Sequence, residues 1–467
     1  MGPRPGFSFS DARHLLPYLL LILCFVGGVW LILVVGARLH PTAADAVQVT
    51  THYSFTQLLL ENLRTPLSVL LTQIIVILVV AGIFRRLFRR IHQPPVMGEM
   101  LAGIVLGPSV LGLVFPPAMT FLFPASSLET LRQLSQIGVV LFMFIVGMEL
   151  NLRRLRQKAT AAVMISHASI IIPFLLGTAL SLFLYRDLAP RETSFNAFAL
   201  FIGVAMSITA FPVLARILED RGLSQTDLGS IAITCAAVDD VTAWCILALV
   251  IALVKATGVG ISAATIVLTL VFMALMLLVV RPRFNRIIKD PEVQQHRRRL
   301  IPIILAFLLA CALITETIGV HALFGAFAAG VVMPDSTEFR TYLKEKLEAF
   351  GSYALLPLFF AFTGLRTQVG LLNGWYDWAL CGVIILVAIA GKLGGSMLMS
   401  RWTGMNWSRS FAIGVLMNTR GLVELVVLNI GYDLGILSGR IFTMMVLMAL
   451  VTTFMTGPLL SLVKIRD

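Results

Sequence analysis

The amino-acid sequence predicts an all-α polytopic membrane protein. Of its 467 residues, 58% are apolar and only 13% are charged, whereas a soluble domain carries about 25% charged residues. The apolar residues fall in blocks of about 20, the length that crosses a bilayer as a helix. The Lys and Arg residues gather in alternate loops between these blocks. A soluble enzyme is therefore excluded, and the net charge of +12 is a sign of topology rather than of nucleic-acid binding.

About fourteen transmembrane spans follow from the apolar blocks, each long enough to cross the bilayer. The spans are expected at about 14–37, 66–88, 95–116, 130–150, 159–185, 194–216, 228–254, 261–281, 300–317, 319–334, 353–370, 377–400, 408–430 and 438–463. The first block is expected to be a retained helix rather than a cleaved signal peptide, because Arg38-Leu39-His40 is no small-residue cleavage site.

The basic residues set the expected orientation through the positive-inside rule. Most of the 36 Lys and Arg residues lie in one set of alternate loops, with clusters at 85–90, 153–158, 281–299 and 340–346. The opposite loops hold only Arg38, Arg64, Arg186, Arg191, Lys255, Arg366 and Arg440. Both termini are therefore expected in the cytoplasm.

The chain also contains an inverted repeat. The segment Ala102-Gly103-Ile104-Val105-Leu106-Gly107-Pro108 resembles Ala329-Gly330-Val331-Val332-Met333-Pro334, and Leu141 to Met148 resembles Leu358 to Leu365. Both pairs are seven spans apart, so corresponding helices run in opposite directions. Inverted repeats of this kind are typical of secondary transporters.

Few ionisable residues are expected to be buried within the membrane, where each costs about 2.5–3.5 kcal/mol on insertion scales. They are Glu99, Glu149, Asp239, Asp240, Lys392, Arg420 and Glu424. Glu99 and Glu149 lie near span ends and are expected to reach interfacial water or a loop partner. The other five need a structural or functional explanation.

Asp239 and Asp240 are adjacent carboxylates near the middle of a span. On a helix they point about 100° apart, so one can face a cavity while the other faces a neighbouring helix. A carboxylate supplies a hard oxygen ligand and a countercharge for Na⁺ or K⁺, and it can hold a proton instead. Such a site binds a proton or a cation but not both, which is the minimum chemistry of exchange.

Each buried cation can have either a structural role or a role in transport. Lys392, in Gly391-Lys392-Leu393-Gly394-Gly395, is the natural ion-pair partner of one of the two aspartates, either as a coupling residue or as part of a fixed structural salt bridge. Arg420 and Glu424 are four residues apart, so they face each other on a helix. A structural pair is slightly favoured for them over a direct part in transport.

Two spans are predicted to be broken, and they too are seven spans apart. One contains Ser207-Ile208-Thr209-Ala210-Phe211-Pro212, where proline removes a backbone hydrogen bond. The other contains Asn418-Thr419-Arg420-Gly421. Broken helices in corresponding halves indicate a midplane ion site, since freed carbonyls coordinate cations and the half-helix ends carry opposed partial charges.

These residues resemble the monovalent cation:proton antiporter-2 family, the sodium/hydrogen exchanger-like transporters, from about Pro95 to Val463. The resemblance rests on Gly98-Glu99-Met100-Leu101-Ala102-Gly103, Gly147-Met148-Glu149-Leu150, Ser207 to Arg216, Ala237-Val238-Asp239-Asp240-Val241, Gly391-Lys392 and Asn418-Thr419-Arg420-Gly421-Leu422-Val423-Glu424.

The resemblance implies a Na⁺/H⁺ antiporter-like fold with two broken, crossing helices and a homodimer that works by an elevator motion. It implies that Asp240 binds the ion or proton, that Asp239 is its partner and that Lys392 is the paired lysine. Residues 1–60 are then an additional helix and external loop, and residues 61–467 are the transport domain, with core helices at about 95–254 and 319–463.

The function expected is exchange of H⁺ for Na⁺ or K⁺ by alternating access, in a bacterial inner membrane. No cofactor and no metal beyond the transported cation are expected, and no enzyme motif such as a P-loop or Rossmann fingerprint occurs. The alternatives are a gated cation channel or leak on the same scaffold, a symporter of an organic anion with Na⁺, and a non-transporting subunit or sensor. The identity of the cation is not decided by these residues.

Overall fold

The structure is a computed structural model that describes residues 12–37, 54–149, 159–223, 226–255, 259–287, 299–334 and 336–463. The basic stretches 153–158 and 288–298 and both chain ends lie outside the described residues. Contacts divide the chain into two compact units, Met1–Asn62 and Leu63–Asp467. The site described below lies wholly in the second unit.

All the regular elements described in the first half of the chain are helices. Its helices are α1 (Ala12–Ala37), α2 (Phe55–Leu63), α3 (Pro66–Arg90), α4 (Pro95–Leu106), α5 (Leu111–Val114), α6 (Pro116–Leu122), α7 (Ala125–Glu149), α8 (Ala159–Leu188), α9 (Phe195–Ser207), α10 (Phe211–Asp220) and α11 (Asp227–Lys255).

The second half repeats this all-helical character. Its helices are α12 (Val259–Leu275), α13 (Arg281–Ile287), α14 (Leu300–Ile318), α15 (Ala322–Val331), α16 (Thr337–Phe350), α17 (Leu356–Arg366), α18 (Trp375–Ile389), α19 (Gly395–Trp402), α20 (Trp407–Met417), α21 (Leu422–Asp433) and α22 (Gly439–Ser461). Single π-helical turns at Met276–Val280, Gly351–Leu355 and Ala390–Gly394 join consecutive helices.

The predicted class of all-α polytopic membrane protein is confirmed. Within the described ranges, nine helices are long and apolar enough to cross a bilayer, and α20 with α21, bent by 41°, makes a tenth. Several expected spans are shorter, such as α9 and α15. The number of about fourteen spans stays a prediction.

The helices of the second unit pack mainly in two groups. Bundle A consists of α3, α4, α7, α14, α15 and α17, and bundle B consists of α8 to α11 and α18 to α22. Each half of the chain supplies one part of bundle A and then one part of bundle B, as an inverted repeat requires. The expected core helices at 95–254 and 319–463 contribute to both bundles.

The repeat is visible as one helix contact made twice in bundle A. A Cβ added to Gly103 in α4 would lie 2.1 Å from the carbonyl oxygen of Ala361 in α17, and one added to Gly330 in α15 would lie 2.1 Å from that of Phe144 in α7. The sequence repeat pairs Gly103 with Gly330 and Phe144 with Ala361. Glycine is needed at both positions because the two backbones touch.

The two ends of the helices differ in their charged contacts. At the end where α3 stops and α4 starts, called the basic end below, Arg85 binds Glu99 at 2.6 Å and Lys344 binds Glu149 at 2.6 Å. Of the two environments expected for Glu99, the structure has the paired one: the residue is only 5% exposed, and its charge is compensated by an arginine at the end of α3 rather than by water.

Ion pairs also join the bundles at the opposite end. Asp433, the last residue of α21 in bundle B, pairs with Arg132 of α7 at 3.3 Å and with Arg366 of α17 at 2.8 Å. Arg366 also donates to Asn429 Oδ1 at 3.1 Å. This group of contacts, called the Asp433 clamp below, closes the opposite end between the two bundles.

Candidate functional site

Two broken helices cross in the middle of bundle B. Helix α9 ends at Ser207, Ile208 to Ala210 are extended, and α10 resumes at Phe211. The second break, 418–421, separates α20 from α21. The amide of Ala210 donates to the carbonyl of Thr419 at 3.0 Å, so the two breaks bind each other directly.

The breaks were predicted, but not all of the residues assigned to them are unwound. Ser207 is the last residue of α9, and its hydroxyl donates to the carbonyl of Gly203 at 2.6 Å. Pro212 lies in the first turn of α10, where proline is tolerated because that amide has no helical partner. Of these, Thr209 is in the first break, and Asn418 and Thr419 are in the second.

Asp239, fully buried in α11, accepts hydrogen bonds from α8, from the first break and from Lys392. Ser166 and Ser169 of α8 each donate to it at 2.5 Å, and Thr209 of the first break donates at 2.6 Å. Lys392 lies 3.1 Å from its Oδ2 atom. The carboxylate therefore ties α8, α11 and the break together, and its hydrogen-bonding capacity is used by the protein itself.

Lys392 occupies the π-helical turn Ala390–Gly394 and is fully buried. Its ammonium donates to the carbonyls of Ser169, at 2.9 Å, and of Ser207, as well as pairing with Asp239. The carbonyl of Ser207 belongs to the last turn of α9, where the helix leaves acceptors unsatisfied. An ammonium has three donors, and these three oxygens use them.

Asp240 differs from its neighbour although both are fully buried. Neither of its carboxylate oxygens has a hydrogen-bond partner among the described residues. Helix α10 begins beside this carboxylate, at Phe211. A buried carboxylate of this kind is costly unless a proton or cation compensates it.

Arg420 and Glu424 form the predicted pair, at 3.0 Å, in the fully buried interior. Arg420 also donates to the carbonyls of Ala205, at 3.0 Å, and Met206, at 2.7 Å. A positive charge at the carboxyl end of α9 is favourable because the helix dipole places partial negative charge there. Arg420 of the second break thus holds the end of the first broken helix.

The two serines of α8 were missed as site residues. Ser166 and Ser169 are three apart in an otherwise apolar span, a spacing that puts them on the same face of a helix. That spacing was the available signal. It did not identify a partner, because Asp239 lies far along the chain on another helix.

A helical membrane protein with two broken helices crossing beside a buried, uncompensated carboxylate has the architecture of a secondary transporter. The chain belongs to the sodium/hydrogen exchanger family, whose transmembrane region matches residues 75–464.

Named relatives agree with this family. The chain is 46% identical to the Na⁺/H⁺ antiporter NhaS4 of Synechocystis over 395 residues, which are 84% of this chain and 96% of that protein. It is 42% identical to cation/H⁺ antiporter 17 of Arabidopsis thaliana, over 85% of this chain and 49% of the relative. It is 34% identical to K⁺/H⁺ antiporter 1 of Saccharomyces cerevisiae, over 86% and 46%. The chain thus spans about half the length of the plant and yeast proteins.

A solved structure has the same fold. The sodium–proton antiporter MjNhaP1 of Methanocaldococcus jannaschii superimposes with a TM-score of 0.62 over 85% of this chain and 99% of its own, at 13% identity. The predicted Na⁺/H⁺ antiporter-like fold is thereby confirmed.

Proposed function

We propose that this protein exchanges a monovalent cation, Na⁺ or K⁺, for H⁺ across a membrane by alternating access. The observation that carries the proposal is the contrast between Asp239, whose oxygens are all engaged by the protein, and Asp240, whose oxygens have no partner among the described residues. The family and the names of the relatives support antiport and do not favour the channel alternative.

In this mechanism Asp240 is the exchange group. A cation and a proton compete for its carboxylate, so the site holds one or the other, and the bound ion is released to the side toward which the site is open. The start of α10 stabilises the carboxylate during the exchange through its partial positive charge. Asp239 and Lys392 hold α8, α9 and α11 in place around the exchange group.

Lys392 and Arg420 act in this proposal as positioning residues. Lys392 binds the carboxyl end of α9 and Asp239 at once, and Arg420 binds the same helix end from the second break. They fix the two broken helices against each other, so that the carboxylate of Asp240 keeps its place within bundle B when that bundle moves.

Two relatives are named for different cations, Na⁺ and K⁺, and we propose one of these two ions without choosing between them. We further propose a homodimer in a bacterial inner membrane, with both termini and the basic end on the cytoplasmic side. The positive-inside distribution supports this orientation, and the 46% identity to an antiporter of Synechocystis supports a bacterial membrane.

The test is proton flux in proteoliposomes, with Na⁺, K⁺ or Li⁺ added in turn against an imposed pH gradient. Wild type should dissipate the gradient on addition of its cation, and the apparent affinity for the cation should fall in proportion to proton concentration at acid pH. Asp240→Asn should abolish the exchange while the protein stays folded. Glu149→Gln, which removes a carboxylate at the basic end, is the matched control and should transport normally.

Cation-dependent exchange retained in Asp240→Asn would refute the assignment of this carboxylate. Cation flux that runs without proton movement and does not reverse with the pH gradient would support the channel instead.

A further inference from the structure

A cavity of about 710 Å³ opens at the basic end, between the two bundles. Bundle A contributes Arg89 from the last turn of α3, and His92 and Gln93 from the turn before α4. Bundle B contributes Arg221, just after α10, and Gly457 of α22. The cavity lies apart from the carboxylates of the exchange site and shares no side chain with them.

The end of α3 directs these side chains into the cavity. His92 has a positive φ of 54°, and its amide and that of Gln93 donate to the carbonyls of Arg89 and Phe88, which is the Schellman pattern of a helix end. A residue other than glycine is uncommon in this conformation. The turn brings an arginine, an imidazole and an amide to one wall of the cavity.

The opposite wall is formed by α10 and α22. Arg221 donates to the carbonyl of Gly457 at 2.9 Å, and Gln93 reaches across to the carbonyl of Phe454 at 3.3 Å. A Cβ on Gly457 would lie 3.3 Å from Gln93 Nε2 and 3.6 Å from Arg221 Nη2. A small residue at this position leaves room for Gln93 of bundle A and Arg221 of bundle B beside α22.

The basic side chains of the cavity have no ion-pair partner among the described side chains. Across the described ranges, no carboxylate lies within salt-bridge distance of Arg89, His92 or Arg221, and the carboxylate that acts on Arg89, Glu99, is bound by Arg85 at 2.6 Å. Arginine side chains disfavour a transported cation, so the cavity does not suit cation access. Their planar donors match phosphate oxygens in pairs.

We propose that this cavity binds a phosphate-bearing anion, held by Arg89, His92 and Arg221. The anion has two possible sources, an anionic lipid headgroup and free phosphate. Exposed apolar side chains flank the basic groups, with Leu87 49% and Phe454 46% exposed, and they offer a surface for acyl chains. Because the ligands come from both bundles, a bound anion restrains their relative movement, a consequence that rests on the proposed alternating access.

The test measures binding, not transport, so it stands apart from the antiport assay. Purified protein in neutral detergent is titrated with phosphatidylglycerol, phosphatidylcholine or inorganic phosphate, and thermal stabilisation gives an apparent Kd. The test variant is Arg89→Gln with Arg221→Gln. The matched control is Arg86→Gln with Arg90→Gln, which removes the same charge from exposed positions of α3 outside the cavity.

We expect the wild type to be stabilised by phosphatidylglycerol and not by phosphatidylcholine. The cavity variant should bind phosphatidylglycerol at least about tenfold more weakly, since hydrogen bonds between charged groups are lost, whereas the control should change by less than about threefold. Stabilisation by inorganic phosphate with the same dependence on the two arginines would assign the site to a soluble anion and also supports the proposal. If the double variant does not fold, Arg89→Gln and His92→Gln separately must each weaken binding.

Three results overturn the proposal. The first is no stabilisation by either anion. The second is equal binding of phosphatidylcholine and phosphatidylglycerol. The third is an equal loss in the cavity variant and the control, which shows only a general attraction of basic residues to anionic lipid.

Discussion

Replacement of Asp239 by asparagine should destabilise the protein, whereas the same replacement of Asp240 should not, although the two residues are adjacent and both fully buried. Asp239→Asn removes the countercharge of Lys392, whose Nζ lies 3.1 Å from Oδ2. At an effective dielectric constant of about 20, that attraction is worth about 5 kcal/mol. Breaking a buried pair typically costs about 3–5 kcal/mol, because the remaining charge is left uncompensated.

Asp240→Asn should leave stability unchanged or raise it. No hydrogen bond to a described residue is lost, since neither carboxylate oxygen has one, and the repulsion from the carboxylate of Asp239 disappears. The cost of burying an uncompensated charge disappears as well. The same substitution should nevertheless abolish exchange. Transport should therefore be lost at Asp240 without a loss of stability.

The assay is the fraction of purified protein that stays monodisperse after heating, for wild type, Asp239→Asn, Asp240→Asn and the double variant Asp239→Asn with Lys392→Gln. The double variant should recover part of the lost stability, because both members of the pair are then neutral. Asp239→Asn melting with the wild type while Asp240→Asn melts earlier would refute the distinction between a structural and an exchange carboxylate.

Three further predictions follow from other contacts. Arg420→Gln should destabilise the protein by about 3–5 kcal/mol in the same heating assay, and adding Glu424→Gln should restore part of this; no rescue would contradict a simple pair. Gly330→Leu should prevent folding or strongly lower expression, because its Cβ would meet the backbone of α7. Gly394→Leu is the control and should be tolerated, because nothing lies within 4 Å of a Cβ at that position. Similar expression of the two variants would contradict the prediction. Asp433→Asn should weaken the Asp433 clamp, which is a partly exposed pair. With the natural cysteines replaced, a membrane-impermeant thiol reagent should then label Gln136→Cys up to about fivefold faster. An unchanged labelling rate would show that the clamp does not hold this end closed.

The broken helices were predictable because their causes are local. Proline at 212 has no backbone N–H to donate, and the run of polar residues and glycine at 418–421 weakens a helix wherever it lies. The adjacent acids were predictable for a similar reason, since ionisable residues in an apolar span are conspicuous in any sequence.

The partners in the site could not be predicted, because they are set by long-range packing. Ser169 is far from Lys392 in sequence, yet its carbonyl accepts from the ammonium at 2.9 Å. The sequence suggested that Arg420 faces Glu424, but it gave no sign that the guanidinium also binds the end of α9. Local spacing indicates which side chains share a helix face, but not which helix lies opposite.

The net charge of the buried ionisable residues of bundle B has a consequence for ion movement that is not coupled to exchange. When all five groups are ionised, Lys392 and Arg420 face Asp239, Asp240 and Glu424, so one negative charge is left over. In the proposed mechanism, a proton or a monovalent cation bound at Asp240 neutralises it, and the charge of the site is then the same with either ion. The unoccupied carrier alone would bring a net charge into the hydrocarbon region, which is costly. The energetic cost of moving the empty site across the membrane thus disfavours cycles that transport only one of the two ions, and no locking contact between helices is needed for this.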